Sequence, residues 1–169
     1  MRAVLDPNVL IASLLSRSGA PAQIVSRWLA GEFELVVSEA LLAELASALA
    51  YPKIRKRILE EEASAFVELL REAVRLAPDP EAPARRSADP GDDYLLALAE
   101  SERAVLVSGD QHLLALAGEL PILTPRAFVD ALAQAERAVL VSGDQHLLVL
   151  ADELPIMTPR AFLAALART

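Results

Sequence analysis

A 32-residue segment occurs twice in this chain of 169 residues. Residues 102–133 (ERAVLVSGDQHLLALAGELPILTPRAFVDALA) return at 136–167 (ERAVLVSGDQHLLVLADELPIMTPRAFLAALA), offset by 34 positions and differing at five. A period of this length also occurs in helical solenoids, whose repeats stack in series. Here each copy reads strand, turn, helix, strand, helix, and the unit leaves no trace upstream. The pattern is that of a tail duplicated once. Without one copy, 135 residues remain, the size of an ordinary small domain. The expected organisation is therefore a self-sufficient domain over residues 1–133, followed by a near-identical duplicate over 134–169. That duplicate either packs on the domain or is swapped into a partner, which makes a homo-oligomer (a dimer or larger) the expected state.

Composition narrows the chemistry. Apolar residues account for 54% of the chain and aromatics for only 4%, enough for one buried core without staples. The chain has no cysteine, which excludes disulfides, thiolate metal sites and cysteine nucleophiles. Sixteen Lys and Arg stand against 24 Asp and Glu, a net charge of −8. Coating nucleic acid by bulk positive charge is excluded, whereas cutting it at an acidic, metal-filled cleft is not. No signal peptide opens the chain, and charges such as Glu44 and Asp110 interrupt every apolar run short of a membrane span. The chain reads as a soluble cytoplasmic protein with no membrane partner.

The order of elements is legible from patterns and caps. A short strand at Val4–Leu5 ends at Asp6, and Pro7 suits the first position of a helix through Val9–Leu15. A helix over Ala22–Leu29 is stopped by Gly31. FELVV at 33–37 reads as a strand, and Ser38 caps a helix over Glu39–Leu49. A basic stretch (KIRKR, 53–57) precedes an amphipathic helix at Glu60–Ala73 and a strand near Val74–Leu76. Four of the 11 prolines fall in 78–91, a loop. Helix 92–101, strand 104–107, helix 110–117, strand 121–123 and helix 125–133 follow. Such alternation predicts an α/β fold, a parallel sheet covered by helices on both faces.

Ligands in such sheets bind at the carboxyl ends of the strands. Two acids sit directly after apolar strands, Asp6 and Asp110. On helix 39–49, Glu44 falls about 60° from Leu41, toward the apolar side or its boundary, while Glu39 points to solvent. On helix 92–101, Asp92 projects into the apolar arc of Leu95, Leu96 and Ala99, and Asp93 falls at its edge. Each acid also has a plainer reading. Asp6, Asp92 and Asp110 are all good N-caps, and Glu44 could pair with a buried arginine. Four carboxylates meeting at one sheet edge would repel unless a cation joined them, and Mg²⁺ or Mn²⁺ suits an all-oxygen donor set.

The segments VLDPNVLIASLL, SEALLAEL, YPKI, DPGDDYLLALA, LVSGDQHLL and PILTPRAF together resemble, in order and spacing, the PIN-domain family. The resemblance spans residues 2–133 and is nearest to the toxin components of toxin–antitoxin pairs, the VapC-type endoribonucleases. It implies a three-layer sandwich around a parallel sheet and a metal-dependent endoribonuclease. It also implies an acidic quartet, placed here on Asp6, Glu44, Asp92 and Asp110, with Asn8, Ser108 and Asp93 in support. The implied reaction is phosphodiester hydrolysis at one or two Mg²⁺ or Mn²⁺ ions, with single-stranded RNA as substrate and an antitoxin protein as partner. One departure stands out. Pro7 occupies a position where the family usually has Thr or Ser, so a hydroxyl near the first acid is lost.

Weaker features complete the reading. Lys53, Arg55, Lys56 and Arg57 form the densest basic cluster, and Arg85 and Arg86 a second; they are candidate RNA contacts or simply solvated helix ends. His112 and His146, in matching QHLL segments, fit surface or packing roles better than ligation. Trp28 and the phenylalanines are core candidates. With only Lys53 and Lys56 in a helical region, a receiver-like phosphoacceptor domain is a poor fit. The stronger alternative is a catalytically silent PIN-fold module that binds an antitoxin or another protein. Between the two equivalent acids of the duplicated segment, Asp110 is the expected member of the quartet. Placing Asp144 there would force residues 102–135 to loop out with their apolar surface exposed.

Overall fold

Three consecutive residues, Ala3, Val4 and Leu5, have no solvent exposure at all. A run that is apolar on both faces belongs in the middle of a parallel sheet covered on each side. The computed structural model, which describes residues 1–74, 76–81, 86–137, 140–141, 144 and 156–160, places them there. Strand β1 (Arg2–Leu5) pairs in parallel with β2 (Glu34–Val36) on one side and β3 (Val105–Val107) on the other. Strand β4 (Ile122–Leu123) pairs with β3, giving the order β2-β1-β3-β4.

Helices follow their expected caps. Asp6 caps α1 (Pro7–Leu15), its Oδ1 accepting from the Asn8 amide at 2.8 Å, with Pro7 in the first turn. Helix α2 (Ala20–Leu29) gives way to Gly31, whose φ of 79° suits glycine. Ser38 caps α3 (Glu39–Leu49), which buries Leu41, Leu42, Leu45 and Leu49. Within the basic stretch lies a short helix, α4 (Pro52–Arg55), and then α5 (Glu60–Ala73), which begins with three glutamates where the helix dipole favours negative charge. Helix α1 packs against α2 and α3, and α3 against α5, whereas α6 (Asp93–Ser101) packs against β1 and β3. The chain leaves β1 toward β2 and leaves β3 toward β4, in opposite directions. With right-handed crossovers, helices then flank both faces of the sheet.

Several expectations need correction. Of the strand expected near Val74–Leu76, the described part is a single parallel bridge of Leu76 to Val37, with Ala77 N–H donating to the Val37 carbonyl at 2.8 Å; Arg75 lies outside the described residues. Pro78 and Pro80 lack the donors needed to continue the ladder. The helix expected at 110–117 is only α7 (Gln111–Leu114), because the amides of Leu116 and Ala117 bond three residues back and tighten the chain before it enters β4. The helix expected from residue 92 starts at Asp93, after a 3₁₀ turn over Pro90–Asp92. Helix α8 (Pro125–Arg137) runs four residues beyond its expected end.

The chain divides into two compact units, Met1–Asp130 and Ala131–Thr169. In the second, β5 (Leu140–Val141) pairs in parallel with β6 (Ile156–Met157). Leu140 faces Ile156 and Val141 faces Met157, which is the register of Leu106 with Ile122 and Val107 with Leu123 shifted by the repeat offset. Arg85 and His146 lie outside the described residues. Among the described residues, no helix is long and apolar enough to cross a membrane.

Trp28, Phe33, Phe66 and Phe128 are core residues, as expected. The rings of Phe33 and Phe128 meet edge to face at 5.1 Å, and Phe128 is wholly buried. Truncating it removes both the buried ring and its partner contact. Phe128→Ala should destabilise the protein by about 3–5 kcal/mol in urea unfolding. A loss below about 1 kcal/mol would show that the ring does not anchor this part of the core.

Candidate acidic site

The strand order reverses direction between β1 and β3, and the carboxyl ends of those strands are where ligands of open parallel sheets bind. The residue after β1 is Asp6, and the first three after β3 are Ser108, Gly109 and Asp110. Their connections are short and specific. Asp6 N–H donates to the Val107 carbonyl at 3.0 Å, so the acid departs from the sheet at its last ladder bond. Ser108, fully buried, donates its hydroxyl to Asp6 Oδ2 at 2.5 Å. The same Oγ accepts the Asp110 amide at 3.0 Å. One serine thus ties the first acid to the fourth. Asp110 Oδ1 in turn caps α7, accepting from the amides of His112 and Leu113 at 2.7 and 3.3 Å.

Asp92 behaves differently. Although it sits at the start of α6, its side chain makes no cap bond, so the capping explanation fails for it. Its carboxyl is raised from 3.8 to about 6, first by desolvation and then by the charges of Asp89, Asp110, Asp6 and Glu44. Among the described residues, the charges that shift it are all negative, and they include the other three members of the expected quartet. Asp89, which sequence reasoning did not single out, caps the 3₁₀ turn through the Gly91 amide at 2.9 Å.

Glu44 is neither turned inward nor paired with an arginine. It is exposed on α3, and its Oε2 accepts the Tyr94 hydroxyl at 2.7 Å. Burial and the charges of Glu44, Asp6 and Asp92 push the Tyr94 phenol far above its ordinary range, so it remains a donor. Tyr94 was also missed from sequence. The only signal there was its place next to the paired aspartates. Asp93 is the buried one of that pair, against the helical-face expectation, because the end of the proline-rich loop folds over it. Its Oδ1 accepts the amides of Arg86 and Ser87 at 2.9 and 2.7 Å, holding the end of the proline-rich loop against the helix.

The remaining candidates are dispersed. Asn8 is exposed at the start of α1 and lines, with Val9, Ala12, Pro21, Gly109, Asp110 and Pro125, a cleft of about 350 Å³. Pro7 is buried at the first helical position. Lys53, Lys56 and Arg57 are exposed, Arg55 pairs with Glu60, and Arg86 pairs with Glu100 at 2.6 Å. His112 is exposed and contributes its amide to the Asp110 cap. Asp144 is exposed in the second unit.

The family model described as the PIN domain matches residues 2–112, a span that includes all four acids. The chain belongs to the PIN-domain family. An uncharacterised protein of Methanocaldococcus jannaschii is 23% identical over 140 residues, covering 77% of this chain and 90% of that protein. A crystal structure from Pyrobaculum aerophilum superposes with a TM-score of 0.57 at 20% identity, covering 79% of this chain and 90% of that one. The VapBC-1 structure of nontypeable Haemophilus influenzae gives 0.52 at 23% identity, covering 75% and 99%. VapBC2 of Rickettsia felis, bound to a DNA fragment from its promoter, gives 0.51 at 13%, covering 73% and 98%. At these identities the superpositions speak to fold alone.

PIN domains generally use divalent metal ions, and the residues present fit one in chemistry. The donors are carboxylate oxygens suited to hard divalent cations, and among the described residues the charges that shift Asp92 are all acidic. Among the described residues, no three acidic or histidine side chains are drawn together as a ready-made metal cage.

A raised carboxyl has a definite consequence for stability. Between pH 3.8 and about 6 the native protein keeps a proton at Asp92 that the unfolded chain has released. Stability from this group therefore falls as pH rises through that window and is level above it. Asp92→Asn should flatten that slope and raise the metal-free melting temperature at pH 7.5 by a few degrees. An identical pH profile for wild type and variant would mean that the repulsion is absent.

Proposed function

We propose that this PIN-domain protein is a metal-dependent endoribonuclease that hydrolyses single-stranded RNA, the toxin of a toxin–antitoxin pair. The observation that carries the reading is the Ser108 hydroxyl joining the Asp6 carboxylate to the Asp110 amide at the sheet's switch point, beside an Asp92 on which burial and the negative charges of Asp89, Asp110, Asp6 and Glu44 act. The VapBC neighbours support the pairing with an antitoxin protein.

Asp6, Asp92 and Asp110 would hold Mg²⁺ or Mn²⁺, with Glu44 at the rim. Such an ion supplies positive charge for the scissile phosphate and a water of lowered pKa. The protein's own part is orientation. Ser108 fixes Asp6 and the Asp110 backbone in one arrangement, so the two acids present their remaining lone pairs without rearranging. Asp92, whose carboxyl is raised by burial and by its acidic neighbours, would release its proton as the cation binds, so uptake of the ion is coupled to pH. The cleft lined by Asn8 and Asp110 would give an extended strand a path past Asp110. Lys53, Lys56 and Arg57 are exposed cations for phosphate contact, and Arg85 and Arg86 remain a second candidate group.

Cleavage of a fluorescent single-stranded RNA by the pure protein tests the reading. Activity should require Mn²⁺ or Mg²⁺ and disappear with chelator. Asp6→Asn, Asp92→Asn and Asp110→Ala should fall to the metal-free level, while Asp144→Ala retains cleavage. Metal should also raise the melting temperature of the wild type but not of Asp6→Asn or Asp92→Asn. A protein that binds an antitoxin but neither metal nor RNA would be the silent PIN-fold module, a role to which Pro7 is suited by the hydroxyl it lacks. Reversed roles for Asp110 and Asp144 would place the second copy in the site.

The duplicated tail also bears on assembly. Its strand residues are identical to those that β3 lays against β1, so the tail matches a slot in another copy of the chain. We propose a homodimer or larger assembly. Light scattering at micromolar concentration should return at least twice the 18.1 kDa chain mass, and a strictly monomeric mass would refute it.

A further inference from the structure

We propose that Tyr94 is a positioning residue for the acidic site: its phenol sets Glu44 in place as a cation-facing oxygen donor. The inference rests on the reading of the acid cluster as a divalent-cation site. The contact joins two elements 50 residues apart, with the Tyr94 hydroxyl donating to Glu44 Oε2 at 2.7 Å. Glu44 lies on the exposed side of α3, between the buried Leu41 and Leu45, where its flexible side chain would otherwise sample many rotamers. Tyr94 is half-buried on α6, two residues after Asp92. The start of α6 is itself anchored, because Asp93 grips the amides of Arg86 and Ser87. The phenol therefore directs Glu44 from a fixed base.

The choice of partner carries chemical weight. An arginine or lysine would orient a carboxylate just as well, but it would also neutralise the charge a cation needs. A hydroxyl orients without adding charge and occupies one lone pair of one oxygen. Asp6 is held in the same manner, by the Ser108 hydroxyl at 2.5 Å. Two carboxylates on separate elements are thus restrained by neutral donors while the cluster keeps its negative charge. Hydrogen bonds of this kind to ligand side chains tune metal affinity about 10–100-fold.

Titration calorimetry of the full chain with Mn²⁺ alone tests the assignment. Tyr94→Phe keeps the ring and deletes only the hydroxyl. It should weaken Mn²⁺ binding about tenfold or more while leaving the metal-free melting temperature unchanged. In a Glu44→Gln background the same substitution should have no further effect. Tyr51→Phe, a change at an exposed tyrosine elsewhere, should bind as wild type. If Tyr94→Phe proves unstable, Glu44→Asp, too short to reach the phenol, should show the same weakened binding. Wild-type affinity in Tyr94→Phe, or equal losses with and without Glu44, would overturn the role of Tyr94 and leave the metal site standing. Failure of the wild type to bind Mn²⁺ would overturn both.

Discussion

Parallel pairing of β1 with β3 is the constraint on which the rest of this structure depends. It closes about a hundred residues of chain between Leu5 and Val105, an entropic cost that only deep apolar burial offsets. Ala3, Val4 and Leu5 on one strand and Leu106 and Val107 on the other provide it, all of them buried. The same pairing makes the site. Because the two strands run side by side in one direction, the residues that leave them emerge together. The Ser108 hydroxyl then falls 2.5 Å from a carboxylate 102 positions earlier.

Charge and architecture pull against each other at that edge. Asp6 and Asp110 cap helices, satisfying amides that would otherwise be orphaned, and in doing so they point their carboxylates toward the same region. Capping and site chemistry are not rival explanations for these acids; the caps are what hold them. Asp92 has no such compensation and bears the repulsion as a raised proton affinity. The start of α6 divides its work among three consecutive residues. Asp92 faces the acids, Asp93 fastens the loop, and Tyr94 restrains Glu44. A PIN-domain protein assembled this way stores unfavourable electrostatics where a divalent cation would relieve them, and the restraining hydroxyls leave that charge in place.

Where local chemistry decides an outcome, the sequence was readable. Helices α3 and α5 have the boundaries their caps and periodicity imply, because Ser38, the first-turn glutamates and the flanking breakers act over a few residues. The four strands of the main sheet were legible for the same reason, whereas the strand expected near Val74–Leu76 is an isolated bridge at Leu76. Element ends set by tertiary demands were not. Helix α7 is cut short by the need to turn into β4, and α6 starts one residue late because Pro90–Asp92 winds as a tighter turn. The apolar face of α6 is the expected one, and Asp93 is buried at its edge because the amides of Arg86 and Ser87 fold over it.

The sequence by itself determined the α/β order of elements and the family resemblance, and it singled out four acids as candidates, because each rests on local pattern or on spacing along the chain. It also revealed the duplication, and with it two chemically equivalent aspartates. Only the tertiary structure decided which neighbours those acids have. Nothing near Glu44 in the chain announces a phenol 50 residues away, and nothing near Asp92 announces that Asp110, Asp6 and Glu44 all act on its carboxyl. Hydrogen bonds and Coulomb forces act through space over a few ångströms, and the sheet alone sets which residues stand that close.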